Sequence, residues 1–250
     1  MLHVILSGCL GFMGNVVKEG IDRAEDMEIV CGVDNKGAGS DFPVFSSFKD
    51  IEAEADVIID FSHPSVLDGM LSFAKSRKIP VVIATTGYSD KQIEQIKAAA
   101  KEIPVFFTFN MSLGINLLTE LAKKAATVLQ GFDIEIIEKH HNQKIDAPSG
   151  TAIMLANAVN EAKDNALIFE YDRHSRRKKR DKNELGIHSV RGGTIVGEHE
   201  IMFCGRDEVV TLSHTALSKN VFATGAISAA RFLADKPAGL YDMSNLIKGE

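Results

Sequence analysis

The chain has 250 residues, of which 45% are hydrophobic and 25% are charged, and its formal net charge is −6. This is an ordinary globular composition, with room for one large domain or two of moderate size. The acidic balance gives no global attraction for nucleic acid or for an anionic membrane, so a negatively charged ligand would need a local cationic pocket.

The first 110 residues alternate short apolar runs with longer amphipathic segments. The strand-like runs are residues 2–6, 28–33, 56–61, 80–84 and 104–109. Helical spacing falls between them, at residues 12–24, 65–77 and 89–101. Strands that are apolar over several residues and separated by helices indicate a parallel sheet covered on both faces. We therefore predict an α/β domain of the Rossmann type, with a doubly wound parallel sheet.

A glycine-rich turn follows the first strand. Gly8, Gly11 and Gly14 have the spacing G-x-x-G-x-x-G and open the first helix. Gly8 permits a tight turn, Gly11 lets the backbone approach a pyrophosphate, and Gly14 lets the helix pack close to the strand. The helix start supplies amide donors for the phosphates. Asp34 ends the second strand, where a carboxylate can accept hydrogen bonds from the adenine ribose. The turn therefore predicts a dinucleotide site.

The residues around Asp34 leave the choice of cofactor open. Asp34 alone would disfavour a 2′-phosphate, whereas Lys36, which follows Asn35, could offset that charge. We therefore expect NADH or NADPH. Two further strand ends, at residues 61–64 and 85–87, would line the same crevice, because ligands of open α/β sheets bind at the carboxyl ends of strands. Their hydroxyl residues could also serve as ordinary helix caps.

After Asn110 the pattern changes to that of an α+β domain. Residues 115–129 and 149–162 have helical spacing, and residues 132–138 alternate apolar and acidic side chains as a half-buried strand does. Residues 170–193 show no period, and residues 194–203 and 207–214 indicate an antiparallel pair. A last apolar helix, at 221–233, could return to cover the first domain. We predict a dinucleotide-binding domain at 1–110 and 220–250, and a substrate and oligomerisation domain at 111–219.

Titratable side chains are concentrated after the strand at 132–138. His140, His141 and Lys144 leave that strand together, and Pro-Ser-Gly-Thr at 148–151 begins a helix. A helix start binds anions through its amides, so cations opposite it would form a carboxylate pocket. Surface histidines and a metal site are the alternatives. We predict no metal, because adjacent residues of an extended chain point to opposite sides and Lys144 would repel a cation.

The loop at 173–182 contains five consecutive basic residues, Arg176 to Arg180, and raises the alternative of a nucleic-acid site. Acidic residues flank the run and no aromatic residues interrupt it, so a solvated loop and no nucleic-acid partner are favoured. Cys9, Cys31 and Cys204 have no spacing that suggests a disulfide framework or a zinc site. No signal peptide and no membrane-length apolar run are visible, so we expect a cytoplasmic protein without a membrane partner.

Motifs along essentially the whole chain resemble one family. They are Gly8-x-x-Gly11-x-Met13-Gly14, Asp60-Phe61-Ser62-x-Pro64, Thr85-Thr86-Gly87, Asn110-Met111-Ser112-Leu113-Gly114-Ile115-Asn116, Glu135-Ile136-Ile137-Glu138-Lys139-His140-His141, Lys144-x-Asp146-Ala147-Pro148-Ser149-Gly150-Thr151-Ala152, His188-Ser189-Val190-Arg191-Gly192-Gly193, Gly197-Glu198-His199 and Gly239-Leu240-Tyr241-Asp242-Met243. The string from His140 to Thr151 is highly specific, whereas the glycine motif is not. The chain resembles the dihydrodipicolinate reductases, now named 4-hydroxy-tetrahydrodipicolinate reductases, of bacterial lysine and diaminopimelate biosynthesis.

The resemblance implies a homotetrameric oxidoreductase that uses NADH or NADPH to reduce a small cyclic imine with two carboxylates. Hydride reaches C4 of the ring and a proton follows, which converts 4-hydroxy-tetrahydrodipicolinate, via dihydrodipicolinate, to tetrahydrodipicolinate. By family role, His140 is a proton donor or acceptor and Lys144 a proton donor, while His141, Gly150 and Thr151 bind substrate. The implied cofactor contacts are Gly8, Cys9, Leu10, Gly11, Phe12, Met13, Asp34, Asn35, Lys36, Ala84, Thr85, Thr86, Thr108, Phe109, Asn110 and Met111.

Two departures from the family pattern stand out. Asn35 occupies a position where some members carry Arg, which leaves the cofactor preference open. Asn142 and Gln143 stand where some members carry basic residues. A reductase of another imine or keto acid is the enzymatic alternative. A non-catalytic nucleotide sensor is the other, although the intact pair of His140 and Lys144 disfavours it.

Overall fold

The structure, a computed structural model, describes residues 1–37 and 41–249. The chain divides into two compact units. Unit 1 comprises Met1–Leu113 and Lys219–Glu250, and unit 2 comprises Gly114–Ser218. The strands are β1 (Leu2–Ser7), β2 (Met27–Val33), β3 (Val44–Phe45), β4 (Val57–Asp60), β5 (Val81–Ile83), β6 (Pro104–Phe107), β7 (Asp133–His140), β8 (Ile168–Glu170), β9 (Glu184–Arg191), β10 (Gly197–Cys204), β11 (Val209–Ala216) and β12 (Gly239–Tyr241). The helices are α1 (Phe12–Asp22), α2 (Leu67–Arg77), α3 (Asp90–Ala99), α4 (Leu113–Val128), α5 (Gly150–Glu161), α6 (Asn220–Leu233) and α7 (Met243–Lys248).

Unit 1 contains a parallel sheet in the strand order β12-β6-β5-β4-β1-β2-β3. Alternate residues of each central strand enter different cores: Val4 and Leu6 join a cluster with α1 and α6, whereas Ile5 joins one with α2 and α3. Both faces are therefore buried, which explains why the strands are apolar at consecutive positions. The predicted doubly wound sheet is confirmed, with helices on both faces.

Unit 2 contains a mixed sheet in the order β11-β10-β7-β9-β8. β10 is antiparallel to β7 and β11, whereas β9 is parallel to β7 and β8. The apolar residues of this sheet pack with those of α4 and α5 in one core. The predicted pair β10 and β11 is present, with starts two or three residues later than predicted.

Residues 170–193, in which the sequence shows no period, contain a strand that the sequence analysis missed. β8 starts before this segment and β9 lies in it, beside the central strand β7. The first four residues of β9 are all buried and the last four are half-buried or exposed, so the strand shows no period of two. The sequence also missed β3 and β12, which are two and three residues long and too short to display periodicity, and the short helix α7.

The basic loop of unit 2 is bound to acidic residues. Arg180 contacts both Asp133 and Glu135 at 2.9 Å. The other ion pairs of this loop are Arg173–Glu184, Arg176–Glu170 and Lys178–Asp181. These cations therefore attach the loop to the start of β7 and to the segment around β8 and β9. Within residues 1–37 and 41–249, no helix has the length and apolar character needed to cross a membrane.

Candidate active site

A cavity of about 520 Å³ opens in unit 1 at the carboxyl ends of β1, β2 and β4. Five residues predicted to contact a cofactor line it: Gly8, Gly11, Asp34, Asn35 and Lys36. Sequence reasoning missed others, namely Ser46, Ser47, Phe48, Val66 and Gly69. Ser46 and Ser47 follow β3, a strand of two residues that is too short to show a hydrophobic period in the sequence. The cavity lies where ligands bind in open parallel sheets.

The glycine turn has the geometry that a dinucleotide requires. Gly8 has a φ of +76°, which favours glycine. A Cβ at this position would lie 2.4–2.9 Å from backbone atoms of Phe61 and Ser62, closer than van der Waals contact allows. A Cβ on Gly14 would overlap the Gly8 carbonyl oxygen, and one on Gly11 would lie 3.2 Å from it. The turn is thus packed as tightly as glycine allows, with the start of α1 beside the cavity. The residues present fit a pyrophosphate at the helix start.

Asp34 is fixed by two backbone amides. Its Oδ2 accepts a hydrogen bond from Leu10 N at 3.0 Å, and its Oδ1 accepts one from Lys36 N at 3.0 Å. Each carboxylate oxygen keeps a further lone pair that can accept a ribose hydroxyl. The side chain therefore connects the glycine turn to the end of β2 and presents acceptors to the cavity.

The remaining predicted cofactor residues follow the same edge of the sheet. Cys9, Leu10, Phe12 and Met13 belong to the glycine turn and the start of α1, and Phe12 is largely exposed. Ala84, Thr85 and Thr86 follow β5, and Thr108, Phe109, Asn110 and Met111 follow β6. Among these, Phe109 is 71% exposed, whereas Met111 and Thr85 are buried. None of them is among the residues that line the cavity.

A buried acid, Asp60, joins two of these strand ends. It ends β4, is 1% exposed, and accepts a hydrogen bond from the Ser62 hydroxyl at 2.5 Å. The Ser62 amide in turn donates to Thr85 Oγ1 at 2.8 Å. Burial raises the pKa of Asp60, opposed by hydrogen bonds from Ser62 and Thr85. The loop after β4 and the segment after β5 are thereby connected.

In unit 2, His140 ends β7 with its ring almost buried. Its Nδ1 lies 2.5 Å from Oε2 of Glu138, whose side chain is fully buried. Burial lowers the pKa of His140, and Glu138 opposes that shift while Lys144 and Arg191 add to it. The charge of Lys144 thus acts on His140; that the two residues share one site stays a prediction of the sequence. His141 follows on the strand end and is half-buried.

Lys144 lies in the loop that leads from β7 to α5. Its ammonium group contacts Oδ1 of Asp146 at 2.8 Å. The Lys144 hydrogen bond lowers the pKa of Asp146, burial opposes this, and the backbone amide of Gly150 lowers it further. An internal carboxylate is thus already paired with the ammonium group of Lys144, and the backbone of Gly150 adds to the lowering of its pKa. That Lys144 and the helix start bind a substrate carboxylate stays a prediction of the sequence.

The start of α5 is capped by Ser149. Its hydroxyl accepts from Ala152 N at 3.2 Å and lies 3.1 Å from Nε2 of His199. Gly150 and Thr151 form the first turn, where amide donors and the positive end of the helix dipole are directed outward. Burial lowers the pKa of His199 to about 4, with His140 as the next cause, so His199 is neutral at pH 7.

Glu138 and Arg191 are site residues to which sequence reasoning gave no role. The sequence did contain a signal for Glu138. Asp133, Glu135 and Ile137 alternate along one face of β7, so Glu138 lies with Ile136 on the opposite, buried face, where an acidic side chain is unusual. Arg191 comes from β9, the strand that the sequence missed. In residues 1–37 and 41–249 no group of His, Cys, Asp or Glu is arranged to hold a metal ion.

Two family models together match nearly the whole chain. The model described as dihydrodipicolinate reductase, N-terminus, matches residues 2–111, and the one described as dihydrodipicolinate reductase, C-terminus, matches residues 114–247. The junction between the two models falls where the chain first passes from unit 1 to unit 2, and the second model continues into the part of unit 1 that begins at Lys219.

Curated relatives and a solved structure are similar over full length. The 4-hydroxy-tetrahydrodipicolinate reductase of Caldanaerobacter subterraneus subsp. tengcongensis is 50% identical over 248 residues, covering 99% of both chains. The same enzyme of Clostridium novyi is 46% identical over 252 residues, covering both chains completely. The dihydrodipicolinate reductase of Paenisporosarcina sp. TG-14 with dipicolinate bound superimposes with a TM-score of 0.82 at 26% identity, covering 97% of each chain.

Proposed function

The chain belongs to the dihydrodipicolinate reductase family, and from this premise we propose that His140 and Lys144 are its proton-transfer residues. The protein is an NADH- or NADPH-dependent oxidoreductase that reduces 4-hydroxy-tetrahydrodipicolinate, via dihydrodipicolinate, to tetrahydrodipicolinate in lysine and diaminopimelate biosynthesis. One observation supports the assignment of residues: the ammonium group of Lys144 already holds a carboxylate, that of Asp146, at 2.8 Å in the loop between His140 and the start of α5.

Unit 1 is the proposed cofactor domain. The glycine turn would hold the pyrophosphate, and Asp34 would accept the adenine ribose hydroxyls. The strand ends after β5 and β6, at Ala84–Thr86 and Thr108–Met111, would contact the nicotinamide half. When bound, the reduced cofactor supplies a hydride to C4 of the substrate ring.

Unit 2 is the proposed substrate domain. The amides of Gly150 and Thr151, with Lys144 and His141, would hold the two carboxylates and fix the ring plane. Lys144 Nζ would deliver the proton that completes the reduction. His140 would donate or accept a proton at Nε2, because its Nδ1 is engaged by Glu138.

We also propose self-association through unit 2. The outer strand β11 alternates exposed and half-buried residues, and Leu217 after it is 88% exposed. Val190 and Val209 are further exposed apolar residues of this unit. Such surface is suited to bury against other copies of the chain, and the family resemblance implies a homotetramer. The proposed location is the cytoplasm, the compartment in which such small-molecule biosynthesis takes place.

The function is tested by a spectrophotometric assay with enzymatically generated substrate. We expect both NADH and NADPH to support turnover, with KM values within about tenfold of each other, since Asp34 suits a free ribose and Lys36 can meet a 2′-phosphate. Lys36→Ala should raise the KM for NADPH more than that for NADH. If neither cofactor supported reduction of the substrate, the proposed function would be contradicted. A preference of more than about a hundredfold for one cofactor would contradict the expectation that Asp34 and Lys36 together accept both.

Inhibition by flat pyridine acids tests the carboxylate pocket. We expect pyridine-2,6-dicarboxylate to compete with substrate and pyridine-2-carboxylate to bind much more weakly, because the monoacid leaves one side of the pocket unmatched. Rising salt should weaken the diacid, since charge dominates the contact. Thr151→Val keeps the shape of the side chain but removes its hydroxyl, and should raise the inhibition constant of the diacid. Equal potency of both acids would place the carboxylates elsewhere.

A further inference from the structure

The carboxylate of Glu138 is fully buried, and four of its hydrogen bonds come from His140, Arg191 and Ser149. Oε2 lies 2.5 Å from His140 Nδ1 and accepts from Arg191 Nη1 at 2.9 Å. Oε1 accepts from Arg191 Nη2 at 2.7 Å and from Ser149 N at 3.1 Å. The pairing with Arg191 is bidentate, the geometry that fixes a guanidinium and a carboxylate most firmly. The acid is therefore fully satisfied although no solvent reaches it.

The donors belong to three separate parts of the proposed substrate site. His140 is one of the two proposed proton-transfer residues. Ser149 caps α5 and precedes Gly150 and Thr151. Arg191 Nη2 also donates to the backbone carbonyl of Asp146 at 2.6 Å, and so holds the loop that carries Lys144. A single carboxylate thus connects the histidine, the lysine loop and the helix start.

The same contact determines which nitrogen of His140 can act. Glu138 is ionised, because the hydrogen bonds from Arg191, Ser189 and His140 outweigh burial and lower its pKa to about 2. An ionised carboxylate only accepts, so His140 Nδ1 carries the proton and Nε2 is left for chemistry. Gly197 lies beside Nε2, and a Cβ there would approach it to 3.2 Å. Glycine at that position keeps the nitrogen accessible.

The charges around His140 are asymmetric. Glu138, on the same strand, raises the pKa of the imidazole, whereas burial, Lys144 in the following loop and Arg191 on β9 all lower it. The ring of His199 on β10 packs edge-on at 5.2 Å. Since His199 is neutral, Glu138 is the group that stabilises the imidazolium form. Without it, His140 would be held neutral by burial and by two cations.

We propose that Glu138 is the positioning residue of the substrate site, a buried carboxylate that sets the tautomer of His140 and holds the Lys144 loop and the start of α5 in one arrangement. The proposal rests on the proposed function, because it presumes that His140 and Lys144 transfer protons. Glu138 itself touches neither substrate nor cofactor in this assignment and acts through the groups that it binds.

The chain offers a matched control on the same strand. Glu135 also pairs with an arginine and a histidine, Arg180 at 2.9 Å and His188 at 2.8 Å, but these partners lie outside the proposed site. If the role of Glu138 were only structural, Glu138→Gln and Glu135→Gln would have the same type of effect. Both would change the free energy of unfolding and leave the kcat–pH profile of the folded enzyme unchanged.

The experiment compares Glu138→Gln, Glu138→Asp and Glu135→Gln with the wild-type enzyme. A glutamine amide cannot accept from all four donors, so we expect Glu138→Gln to lower kcat about 10²-fold, the lower part of the range for loss of an acid–base group. The apparent pKa of His140 in the kcat–pH profile should fall, whether the histidine donates or accepts. Glu138→Asp restores the charge at a shorter reach and should keep the wild-type profile with an intermediate kcat.

Cofactor affinity, measured by titration of NADH, should be unchanged in all three variants, and Glu135→Gln should keep the wild-type kcat and pH profile. The proposal is overturned if Glu138→Gln keeps the wild-type kcat, or if its kcat falls while the pH profile stays in place. Wild-type enzyme that binds NADH without reducing the substrate would instead contradict the proposed function. Should Glu138→Gln fail to fold, the aspartate variant decides: a kcat equal to wild type would overturn the proposal.

Discussion

Replacing Lys144 by alanine is expected to lower kcat by about 10²–10⁴-fold, the range for loss of a positioned proton donor. The ammonium group is also the cation that holds the carboxylate of Asp146 at 2.8 Å, so the substrate KM should rise as well. The loop itself should persist, because the backbone amide of Lys144 donates to the His141 carbonyl and Arg191 holds the Asp146 carbonyl. Neither bond involves the lysine side chain.

A second lysine of unit 2 provides the control for this loss. Lys139 lies on β7, five residues earlier, and its ammonium group pairs with Glu198 at 2.9 Å. Lys139→Ala removes the same charge from the same unit and should leave kcat within about twofold, since exposed ion pairs contribute little. Affinity for NADH, which binds in unit 1, should be normal in both variants. A Lys144→Ala enzyme with near-normal turnover would refute its assignment as proton donor.

The architecture of unit 1 was predictable because its signal is local. Apolar runs of five or six residues and a glycine turn at the first strand end are short-range patterns. The apolar runs follow from the burial of a parallel sheet on both faces. The cavity is different. Ser46 and Ser47 reach it only because β3 pairs with β2, and a two-residue strand carries no period from which that pairing could be read.

The residues of the proposed substrate site that lie together in the chain are the ones that the sequence alone could indicate. His140, Lys144, Gly150 and Thr151 fall within twelve positions, and a helix start after a cationic loop has a local physical meaning. The pair of Glu138 and Arg191 spans 53 residues and depends on the parallel pairing of β7 with β9. That pairing has no sequence pattern, so the interaction that organises the site could be found only in the structure.

Replacing Gly225 by alanine is expected to lower the free energy of unfolding strongly, because α6 packs directly against the backbone of Met111 at this position. A Cβ on Gly225 would overlap the carbonyl oxygen of Met111 and lie 2.8 Å from its carbonyl carbon. The obstacle is backbone that belongs to the proposed nicotinamide contacts, and no side-chain rotation can relieve it. Helix propensity alone would favour alanine by about 0.5–1 kcal/mol, so the steric term opposes the local preference of the helix.

We expect the steric term to prevail and Gly225→Ala to lower the free energy of unfolding by about 3 kcal/mol, the upper part of the range for overpacking. For a chain of this size that corresponds to a fall in Tm of roughly 6–12 °C. Gly69→Ala is the matched control: Gly69 lies in α2 with open space around it, so the same change should raise Tm slightly. Thermal unfolding followed by circular dichroism distinguishes the two. Equal stabilisation of both variants would contradict the packing of α6 against the backbone of Met111.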